Sequence, residues 1–187
     1  MRRLGMLIIA VAAVGCAQPA PPPEPPPPST AVTSSLKGGY DIAKSFITRA
    51  AEQMAEADYG FKPAGVAGEV RSFGQIVAHL ANANYLFCAM VSGEAGPGVD
   101  YEETATTKVD ITKALGESFA FCDRAYGSVN DQTGAEAVRV DFLNMDSTKL
   151  GVLAFNSGHE MEHYGNLVTY MRAKGLVPPS SQQGGGN

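Results

Sequence analysis

The run His159-Glu160-Met161-Glu162-His163 sets two imidazoles four residues apart. On a helix that spacing stacks them one turn above each other on one face, where both can reach a single metal ion. The chain has three histidines in all, and the third, His79, lies in another apolar-periodic stretch, Ser72 to Val91. His79 sits one turn from Ile76 and Ala83, while His159 and His163 share a face with Val152, Asn156, Leu167 and Tyr170. A single inward histidine is usually a core side chain with one hydrogen bond. Three of them, with no others in the chain, are costly to bury unpaired and read instead as ligands of one divalent metal: His79, His159 and His163. Such an ion keeps an open position and lowers the pKa of water or thiol bound there.

The same run satisfies H-E-x-x-H, in which the glutamate serves as general base of a zinc protease. That chemistry needs a third ligand downstream, and after His163 the chain contains no histidine, aspartate or glutamate. A metalloprotease is therefore disfavoured. Glu160 and Glu162 project from other helix faces than the histidines. Asn156, one turn before His159, and Glu160 are the candidates for supporting the ligands from behind. Tyr85 and Tyr164 read as packing. No residue stands out as a catalytic nucleophile, acid or base.

The elements that must position these groups are helices. Ile42, Phe46, Ile47, Ala50 and Met54 mark one face of a first helix from Leu36 to Ala57. Ser72, with Gln75 three residues later, is a capping box that opens a second, whose stripe runs through Phe73, Ile76, Val77, Leu80, Asn84, Phe87 and Val91. Asp110 is the expected N-cap of a third, carrying Ile111, Leu115, Phe119, Cys122 and Tyr126. A fourth starts near Asp146 or Ser147 and stops at Gly175. Two long links separate them, Gly93 to Thr107 and Asn130 to Asp146. Val138 to Phe142 alternates and suits a short extended piece, without calling for a sheet. The expected fold is all-α, a four-helix bundle with long crossover links.

Both ends differ from this domain. Arg2 and Arg3, an apolar run from Leu4 to Val14 and Ala13-Val14-Gly15-Cys16 read as an export leader with a lipobox, Cys16 receiving the lipid. Pro19 to Pro28 is proline except for Ala20 and Glu24, a semi-rigid polyproline spacer. The expected division is a leader over 1–16, a disordered tether over 17–35, the bundle over 36–177 and a disordered tail over 178–187. Location then follows: the periplasmic side of a bacterial cell envelope, held by lipid alone. There Cys88 and Cys122 read as a disulfide stapling the second helix to the third, against the plainer reading of two small buried thiols. Of 14 basic side chains, Arg2 and Arg3 go with the leader, leaving 12 against 19 acidic ones and a net charge of −7. No basic cluster remains for phosphates, which excludes nucleic acid as a partner.

One histidine in the second helix and a pair four apart in the fourth resembles the DinB-like superfamily. Glu69-Val70-Arg71-Ser72-Phe73-Gly74-Gln75-Ile76-Val77-Ala78-His79-Leu80 and His159 through Tyr164-Gly165-Asn166 fit it locally. The resemblance covers Tyr40 to Ser180. It implies a four-helix bundle with a long crossover and three histidines on a divalent metal, zinc or nickel. It also implies, in characterised members, activation of a low-molecular-weight thiol for S-transfer or isomerisation. A small-molecule substrate is the expected partner, with a homodimer allowed. A metal-dependent transferase or hydrolase is the leading expectation. A non-enzymatic metal- or ligand-binding envelope lipoprotein is the alternative.

Overall fold

The structure, a computed structural model, describes residue 27, residues 29–65 and residues 67–182. The leader, Cys16 and most of the proline tether lie outside the described residues, as do the last five residues of the tail. Four long helices carry the fold: α1 (Ala31–Gln53), α2 (Phe73–Ser92), α4 (Lys108–Gly127) and α5 (Lys149–Ala173). Between them lie a one-turn helix α3 (Tyr101–Thr104) and a hairpin, β1 (Ala137–Val140) with β2 (Met145–Thr148). A last turn, α6 (Pro179–Gln182), follows α5. No helix among the described residues is long and apolar enough to cross a membrane.

The helices form a ring in which α2 touches α4 and α5, and α1 touches α5 and α4. Chain neighbours α1 and α2 therefore stand nearly diagonal, as do α4 and α5, so segments 54–72 and 128–148 cross the bundle. The link 93–107 joins adjacent helices instead. Tyr40, Ile47, Phe73, Leu80, Phe119, Leu153 and Leu167 fill the middle. Cys88 and Cys122 are disulfide-bonded there, with Cα atoms 5.2 Å apart, and tie α2 to α4.

The capping box at Ser72 forms as its residues dictate. Gln75 N–H donates to Ser72 Oγ (3.3 Å) and Ser72 N–H to Gln75 Oε1 (2.8 Å). The next two amides are taken by carbonyls of the preceding turn, Phe73 N–H by Phe61 O and Gly74 N–H by Tyr59 O. Gly74 suits this close approach, because a Cβ there would lie 3.1 Å from the Tyr59 carbonyl and force it to shift. At the far end of α5, Leu176 N–H donates to Met171 O across Gly175, whose φ is +74°.

Several boundaries differ from the sequence expectation. Helix α1 starts at Ala31, so Thr30 to Ser35, expected in the tether, belongs to the bundle's first helix and its cap. The cause is distant: the Asp131 carboxylate accepts from Val32 and Thr33 N–H, and Ser29 Oγ donates to it. Helix α4 is capped by Thr107, whose Oγ1 accepts from Asp110 N–H, and not by Asp110 itself. The second link holds a real hairpin, with Val138 opposite Ser147 and Val140 opposite Met145. Its far strand ends in Thr148, which caps α5. Pro179 to Gln182, expected in the disordered tail, makes one helical turn, with Ser180 N–H donating to Tyr164 Oη.

Candidate metal centre

Antiparallel neighbours α2 and α5 bring the three histidines together. His79 Nε2 lies 3.2 Å from His159 Nε2, and His163 Nε2 lies 3.1 Å from the same atom. One ligand atom from each falls within 4.8 Å of the others. All three rings are half-buried, at the mouth of the groove between α2 and α5 and not deep in the core.

Burial, and then the neighbouring His163 and His79, push the His159 imidazole down to about 4. Burial lowers His163 as well. Near neutral pH these two rings are uncharged and present lone pairs, the form a metal requires.

Three imidazole nitrogens converging this closely fit a divalent cation. With Nδ1 of His79 held as a donor to a carboxylate (below), its Nε2 is a lone pair pointed at a second imidazole nitrogen. A cation between them removes that repulsion. His159 Nδ1 is buried without a hydrogen-bond partner among the described residues, so no acceptor on that side fixes which of its ring nitrogens carries the proton.

The sequence reading missed Glu102. Its Oε1 accepts from His79 Nδ1 at 2.6 Å, fixing the tautomer that leaves Nε2 free, and Arg71 Nε donates to Oε2 at 2.6 Å. Burial raises the Glu102 carboxyl, but hydrogen bonds from Arg71 and His79 outweigh it and hold the group below its usual range. Glu102 reaches His79 because α3 is clasped to α2 one turn beyond the histidine. Asn82 Nδ2 donates to Asp100 Oδ1 (2.7 Å), and Asn82 Oδ1 accepts from Tyr101 N–H (2.9 Å).

Asn156 and Glu160, expected to support the ligands, are fully buried and make no hydrogen bond to any of the three histidines among the described residues. Asn156 Nδ2 donates to Glu160 Oε1 at 3.1 Å and lies 3.5 Å from Tyr126 Oη. The two residues stand four apart, so they share a face of α5 that turns into the bundle. Burial pushes the Glu160 carboxyl up to about 8, so near neutral pH it is predominantly a neutral acid. Glu162 is exposed, and Tyr164 stacks on Phe46 (centroids 5.2 Å) and donates to Ser180 Oγ. Tyr85 packs between Tyr101 and Phe121.

A family profile described as the DinB superfamily matches residues 43–167. Among solved structures, a DinB-like protein from Bacillus cereus superposes with a TM-score of 0.65 at 14% identity, over 78% of this chain and 95% of that one. A DinB-like protein from Bacillus subtilis gives 0.60 at 19% identity, over 76% and 93%. A mutant of the mycothiol-dependent maleylpyruvate isomerase gives 0.58 at 15% identity, over 72% of this chain and 60% of that one. At these identities the superpositions speak for the fold. No curated protein matches the sequence.

Proposed function

Because the chain belongs to the DinB superfamily, we propose that it is a metal-dependent enzyme acting on a small molecule at His79, His159 and His163. The observation that carries this reading is the convergence of three imidazole nitrogens within 4.8 Å from helices 80 residues apart in sequence. Zinc or nickel suits three imidazoles. A divalent ion held this way supplies Lewis acidity at an open position, which makes a weak thiol or water nucleophilic near neutral pH.

The chain's own residues do the rest. Glu102 keeps the His79 proton on Nδ1, Arg71 holds Glu102, and α2 and α5 fix the spacing. Chemistry that uses a low-molecular-weight thiol, transfer among it, is the first reading, and a neighbour named a mycothiol-dependent isomerase supports the thiol; hydrolysis is the other chemistry the same centre supports. Metal content of the purified protein, beside His79→Ala, His159→Ala and His163→Ala, tests the site. One equivalent of metal in the parent and a loss in every variant is expected. Full retention in all three ends the reading. A metal that exchanges no water, judged by water-proton relaxation of the Co(II) form, would favour the non-enzymatic binding module.

The cell envelope is the proposed location, with Cys16 lipidated and the bundle on the periplasmic side. The apolar leader, the lipobox and the proline tether support it, and a Cys88–Cys122 disulfide suits an oxidising compartment. Cys16→Ser should abolish incorporation of labelled fatty acid into the protein; unchanged labelling would remove the anchor.

A further inference from the structure

The two sides of His79 on α2 differ. Towards the 93–107 link and α4, Gln75, Lys62 and Glu102 border an open cleft that no histidine and no α5 residue lines. In the opposite direction the side chains following His79 on its face are Ala83, Leu86 and Phe87, and those preceding His159 on α5 are Phe155 and Val152. The Phe87 ring meets His159 edge-on, with centroids 5.6 Å apart, and is met in turn by Phe155 at 5.3 Å and Phe142 at 5.9 Å. Beyond Phe87 a second cavity is walled by Phe155, Val152, Val140, Leu143 and Met145. Ser147 and Gly151 complete its border, and among the described residues no charged side chain lines it.

The hairpin β1–β2 forms the outer wall, and it is anchored to the metal helix itself. Thr148, its last residue, caps α5, and Lys149 N–H donates to Glu136 O across the base. Its tip leaves Phe142, Leu143 and Met145 about half exposed, and Phe155 joins them from α5. Large apolar side chains held half exposed around a cavity that shares its Phe87 wall with the histidine centre describe a subsite more than a core.

We infer that this cavity receives a short apolar arm, a few alkyl carbons or a phenyl ring, of the molecule whose other end binds at the three histidines. The inference rests on the metal-site reading and adds the substrate's chemistry to it. A carboxylate at this end finds no cationic side chain among the lining residues, so the arm that enters is uncharged.

Alkyl hydroxamates give a direct test, because the headgroup chelates metal while the tail is lengthened one carbon at a time. The protein loaded with Co(II) is titrated with aceto-, propiono-, butyro-, pentano- and hexanohydroxamate, and the visible Co(II) spectrum is followed. Each added methylene should tighten binding about fourfold until the cavity fills, the factor expected for burying one CH₂. Leu143→Ser and, separately, Met145→Ser, both at exposed hairpin positions, should flatten the series and bring the hexano/aceto affinity ratio toward one. A flat series in the parent protein overturns the subsite while leaving the metal centre standing, and so does a steep series untouched by either substitution. Failure of Co(II) to bind takes down both readings.

Discussion

A histidine binds metal through the nitrogen that carries no proton, so the group that accepts the other N–H sets how well it binds. Glu102 has that role for His79, at 2.6 Å, and Arg71 keeps Glu102 ionised. Glu102→Ala should weaken metal binding about 10- to 100-fold, the usual cost of losing such a partner. Arg71→Ala should act in the same direction and less strongly, both read by competition with a chromophoric chelator. An unchanged affinity in Glu102→Ala would show that the contact is incidental. Glu160 makes a different residue-scale prediction. Its folded pKa is raised from 4.5 to about 8, so its contribution is complete below about pH 4.5 and is lost as pH rises through 8. Glu160→Gln keeps the Asn156 hydrogen bond without the titration. The metal-free variant should hold its stability between pH 5 and 8 where the parent declines by up to about 1 kcal/mol per pH unit. Parallel pH–stability curves would contradict this. The His159–His163 pair was readable in the sequence because i,i+4 spacing is local geometry, and His79 joined it as the one other histidine in the chain. Glu102 was not, since its approach depends on the Asn82–Asp100 clasp across an aperiodic link. The acidic run Asp100, Glu102, Glu103 was the one signal present.

Elements with local start signals were legible, and those started from afar were not. The Ser72 box lies wholly within four residues, so the beginning of α2 could be read directly. Ser72→Ala should cost about 1 kcal/mol in denaturant unfolding. Helix α1 shows the opposite case. Thr30 makes no side-chain cap, and the first amides depend on Asp131, 99 residues from Val32. Those bonds hold the Asp131 carboxyl down to about 2. Stability from this group is therefore present above about pH 4 and lost as pH falls toward 2. Asp131→Ala should fray α1 back toward Leu36, the point where its apolar periodicity begins. The readout is amide exchange: Val32 and Thr33 should lose protection while Ile47 keeps it. Retained protection at Val32 would mean that packing alone holds the first turn. The hairpin escaped the sequence reading for a related reason. Val138 to Phe142 alternates and marks the first strand, but the partner strand, Met145 to Thr148, carries no pattern apart from its pairing.

At the scale of the whole molecule, the diagonal path of the chain makes the Cys88–Cys122 bond consequential. Helices α2 and α4 are adjacent in space, and the link between them carries α3 and Glu102. A bridge spanning 34 residues removes conformational freedom from the unfolded chain, worth about 4 kcal/mol in the chain-entropy account. Reduction should therefore lower the unfolding free energy by about 3–4 kcal/mol, with a somewhat larger denaturant slope because the released chain exposes more surface. The metal centre should respond differently. His79 lies on the α2 face toward α5, and Glu102 is held by Asn82 and Asp100 on the near side of the link. None of these contacts passes through the bridge. Metal affinity should then change less than about threefold on reduction, so long as the protein remains folded. If affinity and stability fell together, the disulfide would be positioning the triad, and the α3 clasp would not be sufficient to hold Glu102 on His79.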